Sequence, residues 1–293
     1  MISRDLAKKI RYIQITTSRA ANSTFAGEYE SVFKGQGIEF DEVREYQAGD
    51  DTRAIDWNVT ARTGVPFIKR FVEERELIVM FLVDMSGSGV FGSIEKTKNE
   101  IAAEICSLLA FSAIKNNDKV GLIVFTDTVE FFLPPEKGTR HVLRLIEEIL
   151  SFKPKGVKTD IGAALDYLGR VSNKKTVAFL ISDYLDTNYE QKLRVMNKRH
   201  DLIAVTISDP REVELPKIGM VRLLDAETGA SIVIDANSEK VRRLYRIKAL
   251  ERTNKLKRIF FTSGIDQIDI RTDKDYLKSI TTFFLNRERR LKR

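Results

Sequence analysis

The sequence predicts an α/β protein built on an open, mostly parallel central sheet flanked by helices, a Rossmann-like arrangement. Three observations predict it. The apolar runs LIVMFLV, VGLIVF, VAFLIS and LIAVTIS recur after residue 77, and each is continuous rather than alternating, as in strands covered on both faces. Amphipathic helical stretches separate most of these runs, which is the spacing that right-handed crossovers between parallel strands require. Two of the runs end in aspartate, Asp84 and Asp183, at the strand ends where open parallel sheets gather their ligands.

Residues 1–21 read as a charged helical lead, without the apolar core of a secretory signal. Residues 22–76 form a separate segment packing on the core. Gly49 with Asp50 and Asp51 predicts a turn and a cap for a helix over TRAIDWNVTAR, Gly64-Val65-Pro66 ends that helix, and PFIKRFVEERE is extended. Arg44, Arg53 and Arg62 interleave with Asp50, Asp51 and Asp56, a pattern expected of ion pairs that hold the segment against the sheet.

The main domain is expected over 77–286. LIVMFLVD leads to a helix over 94–116, then to VGLIVFTD and to VEFFLPP, which forms a hairpin-like edge. Helices at about 138–150 and 160–170 precede TVAFLISD, and a further helix precedes LIAVTIS. Residues 218–235 break the alternation with two strand-like runs around a Glu-Thr-Gly turn and read as an inserted β-hairpin. A long basic helix at about 238–261, the strand GIDQIDI, a last helix to about 285 and a basic tail over 287–293 complete the chain.

Residues 237–293 hold 17 Lys/Arg against 7 Asp/Glu, whereas residues 22–76 hold 12 acidic against 7 basic side chains. Such polarity favours a charged partner or self-association. A single cysteine, Cys106, excludes an intramolecular disulfide and a multi-cysteine zinc site. His141 and His200 have neither metal-ligand nor triad spacing and read as surface residues. No apolar run approaches the ~20 residues of a membrane span, so the expected location is the cytoplasm, with no transmembrane segment.

The stretch DMSGS, residues 84–88, ends the first buried strand with a carboxylate and two hydroxyls spaced two apart. Asp183 ends another such strand, and Thr159 precedes the helix DIGAALDYL. Asp84, Ser86, Ser88, Thr159 and Asp183 thus supply five oxygen-bearing side chains and no nitrogen or sulfur, a set suited to magnesium or manganese with room for water. Each has a plainer role available as a cap or turn former. Together, two strand-end aspartates without a cation would repel, and the metal site is the better account.

Asp-x-Ser-x-Ser with a later Thr and a later Asp resembles the metal-ion-dependent adhesion site of the von Willebrand factor A fold, with all five positions filled. VREYQAGDDTRAIDWNVTAR, VDMSGSGVFG and GIDQIDIRTDKDYLKSITTFFL look like the signature of the bacterial domain-of-unknown-function family numbered fifty-eight, from about residue 25 to the end of the chain. The resemblance implies a non-catalytic adaptor that works with a MoxR-type AAA ATPase, and with its client proteins, in protein assembly or maturation. It further implies that Ser86, Ser88 and Thr159 hold the metal directly, with Asp84 and Asp183 acting through water or close contact.

Two other readings stay open. A magnesium-dependent hydrolase would use the same aspartates for phosphoryl chemistry. The basic C-terminal segment would bind nucleic acid through phosphate contacts, but nothing in it supplies sequence readout, so no specific nucleic acid is expected.

Overall fold

The computed structural model describes residues 4–21, 26–33, 39–72, 76–93, 96–224 and 229–292. Residues up to 32 and from 77 onward form the main unit, and residues 33–76 form a second compact unit. Helices α1 (Arg4–Ala20) and α2 (Ala26–Phe33) open the chain. Ile13, Thr17 and Ala21 recur at helical spacing and are buried, which gives α1 one inward face. The buried Tyr29 hydroxyl of α2 donates to Asp118 Oδ2 at 3.0 Å.

The second unit is a two-stranded antiparallel sheet of β1 (Glu39–Glu45) and β2 (Phe67–Val72), with α3 (Trp57–Thr63) between them in sequence. The helix expected over TRAIDWNVTAR is broken in two. Asp51 caps a 3-10 turn at Thr52–Ala54, Ile55 bridges to Ile68, and Asp56 starts α3 afresh by accepting from the backbone N–H groups of Asn58 and Val59. Gly64 ends α3 at φ 75, the left-handed conformation that glycine reaches without strain. The Arg44 guanidinium pairs with Asp50 at 2.7 Å inside this unit and holds that half-buried carboxyl below its ordinary pKa, helped by the Gln47 N–H. Trp57 stands 69% exposed.

The main unit continues with β3 (Ile78–Asp84), α4 (Lys98–Lys115), β4 (Lys119–Phe125), β5 (Val129–Glu136), α5 (Thr139–Ser151), α6 (Ile161–Val171) and β6 (Val177–Ser182). It ends with α7 (Glu190–Arg199), β7 (Asp201–Ser208), the hairpin β8 (Met220–Leu224) and β9 (Ser231–Asp235), α8 (Glu239–Ser263), β10 (Asp266–Arg271) and α9 (Tyr276–Leu291). The sheet order is β10-β7-β6-β3-β4-β5. Only β5 runs antiparallel to its neighbour within this sheet.

The chain therefore starts at the centre of the sheet, moves one way to β4 and β5, then returns to the other side of β3 and moves outward through β6, β7 and β10. Because crossovers keep one hand, this reversal sends the helices after β3 and β6 to opposite faces. Accordingly α4 packs with α1 and α5, and α7 packs with α6 and α8. Met80, Leu82, Phe125 and Leu180 join Leu165, Leu193 and Phe260 in one core cluster. By two-residue alternation Val79, Phe81 and Val83 face the other way, and the Phe81 and Phe179 rings stack 5.7 Å apart. Burial on both faces is why these strands carry no polar stripe. Helix α4 lies under α1 and α5 with the sheet beneath it, so most of its residues are buried and it too lacks a polar face.

Several expectations need correction. The helix predicted from 94 begins at Lys98, where Thr97 and Glu100 form a reciprocal capping box that fixes the start. His141 and His200 are buried, not on the surface. His141 Nε2 lies 2.9 Å from the Val120 carbonyl oxygen, which ties α5 to the sheet. Burial lowers the pKa of His200 at the end of α7, and Arg199 lowers it further. The last helix runs to Leu291 through most of the expected tail, because Arg287 and Arg290 pair with Asp266 on β10 at 3.2 and 2.8 Å. The hairpin is present, with Gly229 at φ 71 entering β9, while residues 225–228 of its turn lie outside the described residues. Among the described residues no helix is long and apolar enough to cross a membrane.

Candidate metal centre

The site is built at the reversal point, where β3 and β6 end side by side. Asp84 terminates β3 and is buried. Its Oδ1 accepts the Ser86 N–H at 2.9 Å, closing a tight turn, and its Oδ2 accepts the Ser182 hydroxyl at 2.6 Å. Burial, and then the nearby Asp183 charge, raise its pKa to about 6 against the opposing pull of the Ser182 and Ser86 hydrogen bonds. The turn leaves Ser86 fully buried, with its Oγ 3.1 Å from the Oγ of half-buried Ser88. Gly89 follows in the 3-10 turn at Gly87–Val90, and a Cβ there would collide with Asn99 Oδ1, so glycine permits this close approach.

Ser182, the last residue of β6, links the two strand ends, because its Oγ also accepts the Tyr184 N–H at 2.9 Å. Tyr184 sits at φ 57, a left-handed conformation costly for a bulky residue, and is held there by burial and by its hydroxyl donating to the Leu180 carbonyl at 2.8 Å. Between Ser182 and Tyr184, Asp183 turns its Oδ2 to the Lys98 ammonium at 2.7 Å, and its Oδ1 accepts the Leu185 N–H at 3.2 Å. Asp84, Ser88, Lys98, Asn99, Ser182 and Asp183 line a cavity of about 20 Å³, room for about one water.

Thr159 reaches this neighbourhood through its loop. The Gly87 N–H donates to the Val157 carbonyl at 3.0 Å, and the Asp160 N–H donates to the Thr126 carbonyl at 2.8 Å, which pins the loop between the serine turn and the end of β4. Glu130 of β5 shapes the same loop by accepting from the N–H groups of Lys155 and Gly156 at 2.8 and 2.9 Å and from the Thr126 hydroxyl at 2.6 Å. Burial opposes its ionisation, but these bonds outweigh that effect and lower the Glu130 pKa. Thr159 itself is half-buried.

The structure thus joins Asp84, Ser86 and Ser88 in one turn, sets Asp183 on the same cavity, and holds the Thr159 loop against that turn. It adds Ser182, Lys98 and Glu130, none of which the sequence reading selected. Lys98 carried a signal: a cation in the first turn of a helix opposes the helix dipole and calls for compensating anions.

Among the described residues no three His, Cys, Asp or Glu side chains converge as metal ligands, so any cation here would rely on hydroxyls as well as carboxylates. Hard hydroxyl and carboxylate oxygens suit magnesium or manganese rather than zinc or copper. Magnesium–oxygen bonds of ~2.0–2.1 Å put adjacent octahedral ligands about 3 Å apart, close to the 3.1 Å separation of the two serine oxygens. The raised pKa of Asp84 marks a buried negative charge that a dication would offset. On these grounds the residues fit such an ion.

A mostly parallel sheet in this order, with helices on both faces, is a doubly wound α/β domain. The chain belongs to the family described as protein of unknown function DUF58, whose profile matches residues 42–255. An uncharacterized protein of Mycobacterium tuberculosis (strain ATCC 25618 / H37Rv) is 31% identical over 287 residues, 97% of this chain and 90% of that one. Similar solved structures include the conserved hypothetical protein BatB from Bacteroides thetaiotaomicron, at 19% identity and a TM-score of 0.47, covering 73% of this chain and 99% of that one. They also include the SpRpn10 VWA domain, at 12% identity and a TM-score of 0.39, covering 71% of this chain and 94% of that one.

Proposed function

We propose that the protein is a non-catalytic adaptor that binds its partner through a divalent cation, magnesium or manganese, at the tips of β3 and β6. The observation that carries this reading is the turn at Asp84–Ser88, in which a buried carboxylate and two hydroxyl oxygens converge beside Asp183. Ser86, Ser88 and Thr159 would hold the cation directly, and Asp84 and Asp183 would neutralise it and orient the hydroxyls. When bound, the cation supplies an open coordination position for a partner's Asp or Glu. Ser182 would keep Asp84 aimed, and Glu130 would keep the Thr159 loop in place.

The family resemblance points to a MoxR-type AAA ATPase as the partner, acting in the cytoplasm in protein assembly or maturation. The basic surface of α8, with nine Lys/Arg against two Asp/Glu, would steer an acidic partner and raise the association rate more than the final affinity. The test is a binding titration against the candidate ATPase in magnesium and in chelator, with wild type and with the double variant Ser86→Ala, Ser88→Ala. Binding that requires magnesium and both serines is the expected result. Equal affinity under all conditions would exclude a metal-bridged contact.

A further inference from the structure

Lys98 occupies an unusual position. It is 2% exposed, it stands at the first position of α4, and it lines the same small cavity as Asp84, Ser88 and Asp183. Its ammonium donates to Asp183 Oδ2 at 2.7 Å and to Glu212 Oε1 at 2.6 Å. Burial disfavours the charged form, but Asp183 and Glu212 outweigh it and raise the Lys98 pKa, so the group is a cation. Glu212 is itself fixed, because its Oε2 accepts the Asp209 N–H at 2.9 Å in a capping box after β7. Asp209 is fully buried and takes the Ser93 hydroxyl and N–H at 2.6 and 2.9 Å and the Thr272 hydroxyl at 3.0 Å. The ammonium thus has two anchors, one at the candidate metal centre and one on a rigid turn outside it.

We propose that Lys98 is a tethered competitor of the divalent cation, an internal ammonium that neutralises Asp183 in the metal-free protein and shifts onto Glu212 alone when the site fills. The inference rests on the metal-dependent reading above. The physical reason is that an ammonium in this cavity and a dication at the adjacent oxygens repel, while both draw on the same carboxylate. Lys98 therefore lowers the intrinsic affinity for the ion and keeps Asp183 satisfied without it. Glu212 makes the exchange possible by giving the displaced ammonium a half-buried partner, since an unpaired charge there would be strongly destabilising.

The experiment is isothermal titration of the full chain with magnesium or manganese alone, after chelator treatment, paired with thermal unfolding. Lys98→Met, which keeps most of the unbranched stem and removes the charge, should bind at least tenfold more tightly than wild type and show a larger cation-induced rise in Tm. Lys98→Gln is the second neutral variant and should shift the same way. If either folds only in the presence of the cation, its Kd is corrected for the folded fraction before it is compared with wild type. Glu212→Gln should bind at least threefold more weakly, because the ammonium then has only Asp183. Opposite shifts separate competition from general damage to the site, which would weaken all variants alike. Lys98 variants that bind no more tightly than wild type overturn this proposal while leaving the metal site intact. Absence of binding by wild type and every variant at millimolar cation overturns the metal reading itself, and this inference with it.

Discussion

Replacement of Asp84 by asparagine is expected to stabilise the metal-free protein at neutral pH. The wild-type carboxyl has a pKa of about 6 in the fold, because of burial and Asp183, against an ordinary value of 3.8. The folded state therefore holds its proton more tightly than the unfolded state. Unfolding releases that proton between pH 3.8 and 6, so stability falls as pH rises through this window and stays lower above it. A gap of about two units corresponds to about 3 kcal/mol of destabilisation at pH 7.5. The Asp84→Asn variant would escape this penalty and keep the shape: its amide oxygen can accept from the Ser86 N–H, and its amide N–H can donate to Ser182. Weaker hydrogen bonds would cost about 1 kcal/mol, leaving a net gain of about 2 kcal/mol. Denaturant unfolding of both proteins in chelator at pH 7.5 and pH 4.5 measures it. The advantage should shrink to about zero near pH 4.5, where folded wild type is already protonated. An Asp84→Asn protein that is less stable than wild type at pH 7.5, or a difference independent of pH, would refute the argument.

The proposed magnesium site predicts a calorimetric signature: cation at 100 times its Kd should add about 2.7 kcal/mol to stability, and Ser86→Ala with Ser88→Ala should abolish the gain in a thermal melt. Glu130→Gln removes the charged acceptor that shapes the Thr159 loop. It should weaken cation binding by about 1–2 kcal/mol in the same titration while leaving far-UV circular dichroism unchanged. Burial pushes the Cys106 thiol well above its ordinary pKa, so a thiol reagent at pH 8 should label it only as fast as the protein unfolds. Labelling faster than global unfolding, followed by stopped-flow in denaturant, would show that α4 opens locally.

The central strands were legible because a sheet covered on both faces leaves an unbroken apolar run, a pattern that survives without knowledge of neighbours. Helix ends fared less well. The Thr97–Glu100 capping box is written in the sequence as TKNE, yet the charged residues before it also suit a helix, and only the reciprocal bonds decide the start. The end of α9 depends on Arg287 and Arg290 reaching Asp266, contacts between residues about twenty positions apart. His141 was misplaced for a similar reason: its neighbours Val142 and Leu145 mark the inward face of α5, but what makes burial of the imidazole tolerable is the Val120 carbonyl.

That Asp84, with the serine turn after it, lies beside Asp183 was legible from sequence because the parallel-sheet rule places strand ends together, whatever the intervening chain does. That rule says nothing about which cations share the space. Lys98 lies 14 residues after Asp84 and 85 before Asp183, with Glu212 a further 29 on, and no periodicity connects the four. Its position at the start of α4 was the available clue, since the positive end of a helix is a poor place for an ammonium and a buried one needs anions from other segments. Two carboxylates from separate strand ends meet that need. The arrangement couples the pairing of residues just after β6, on α4 and in the turn after β7. A divalent ion at the serine turn would therefore be sensed as far away as Glu212, through the ammonium between them.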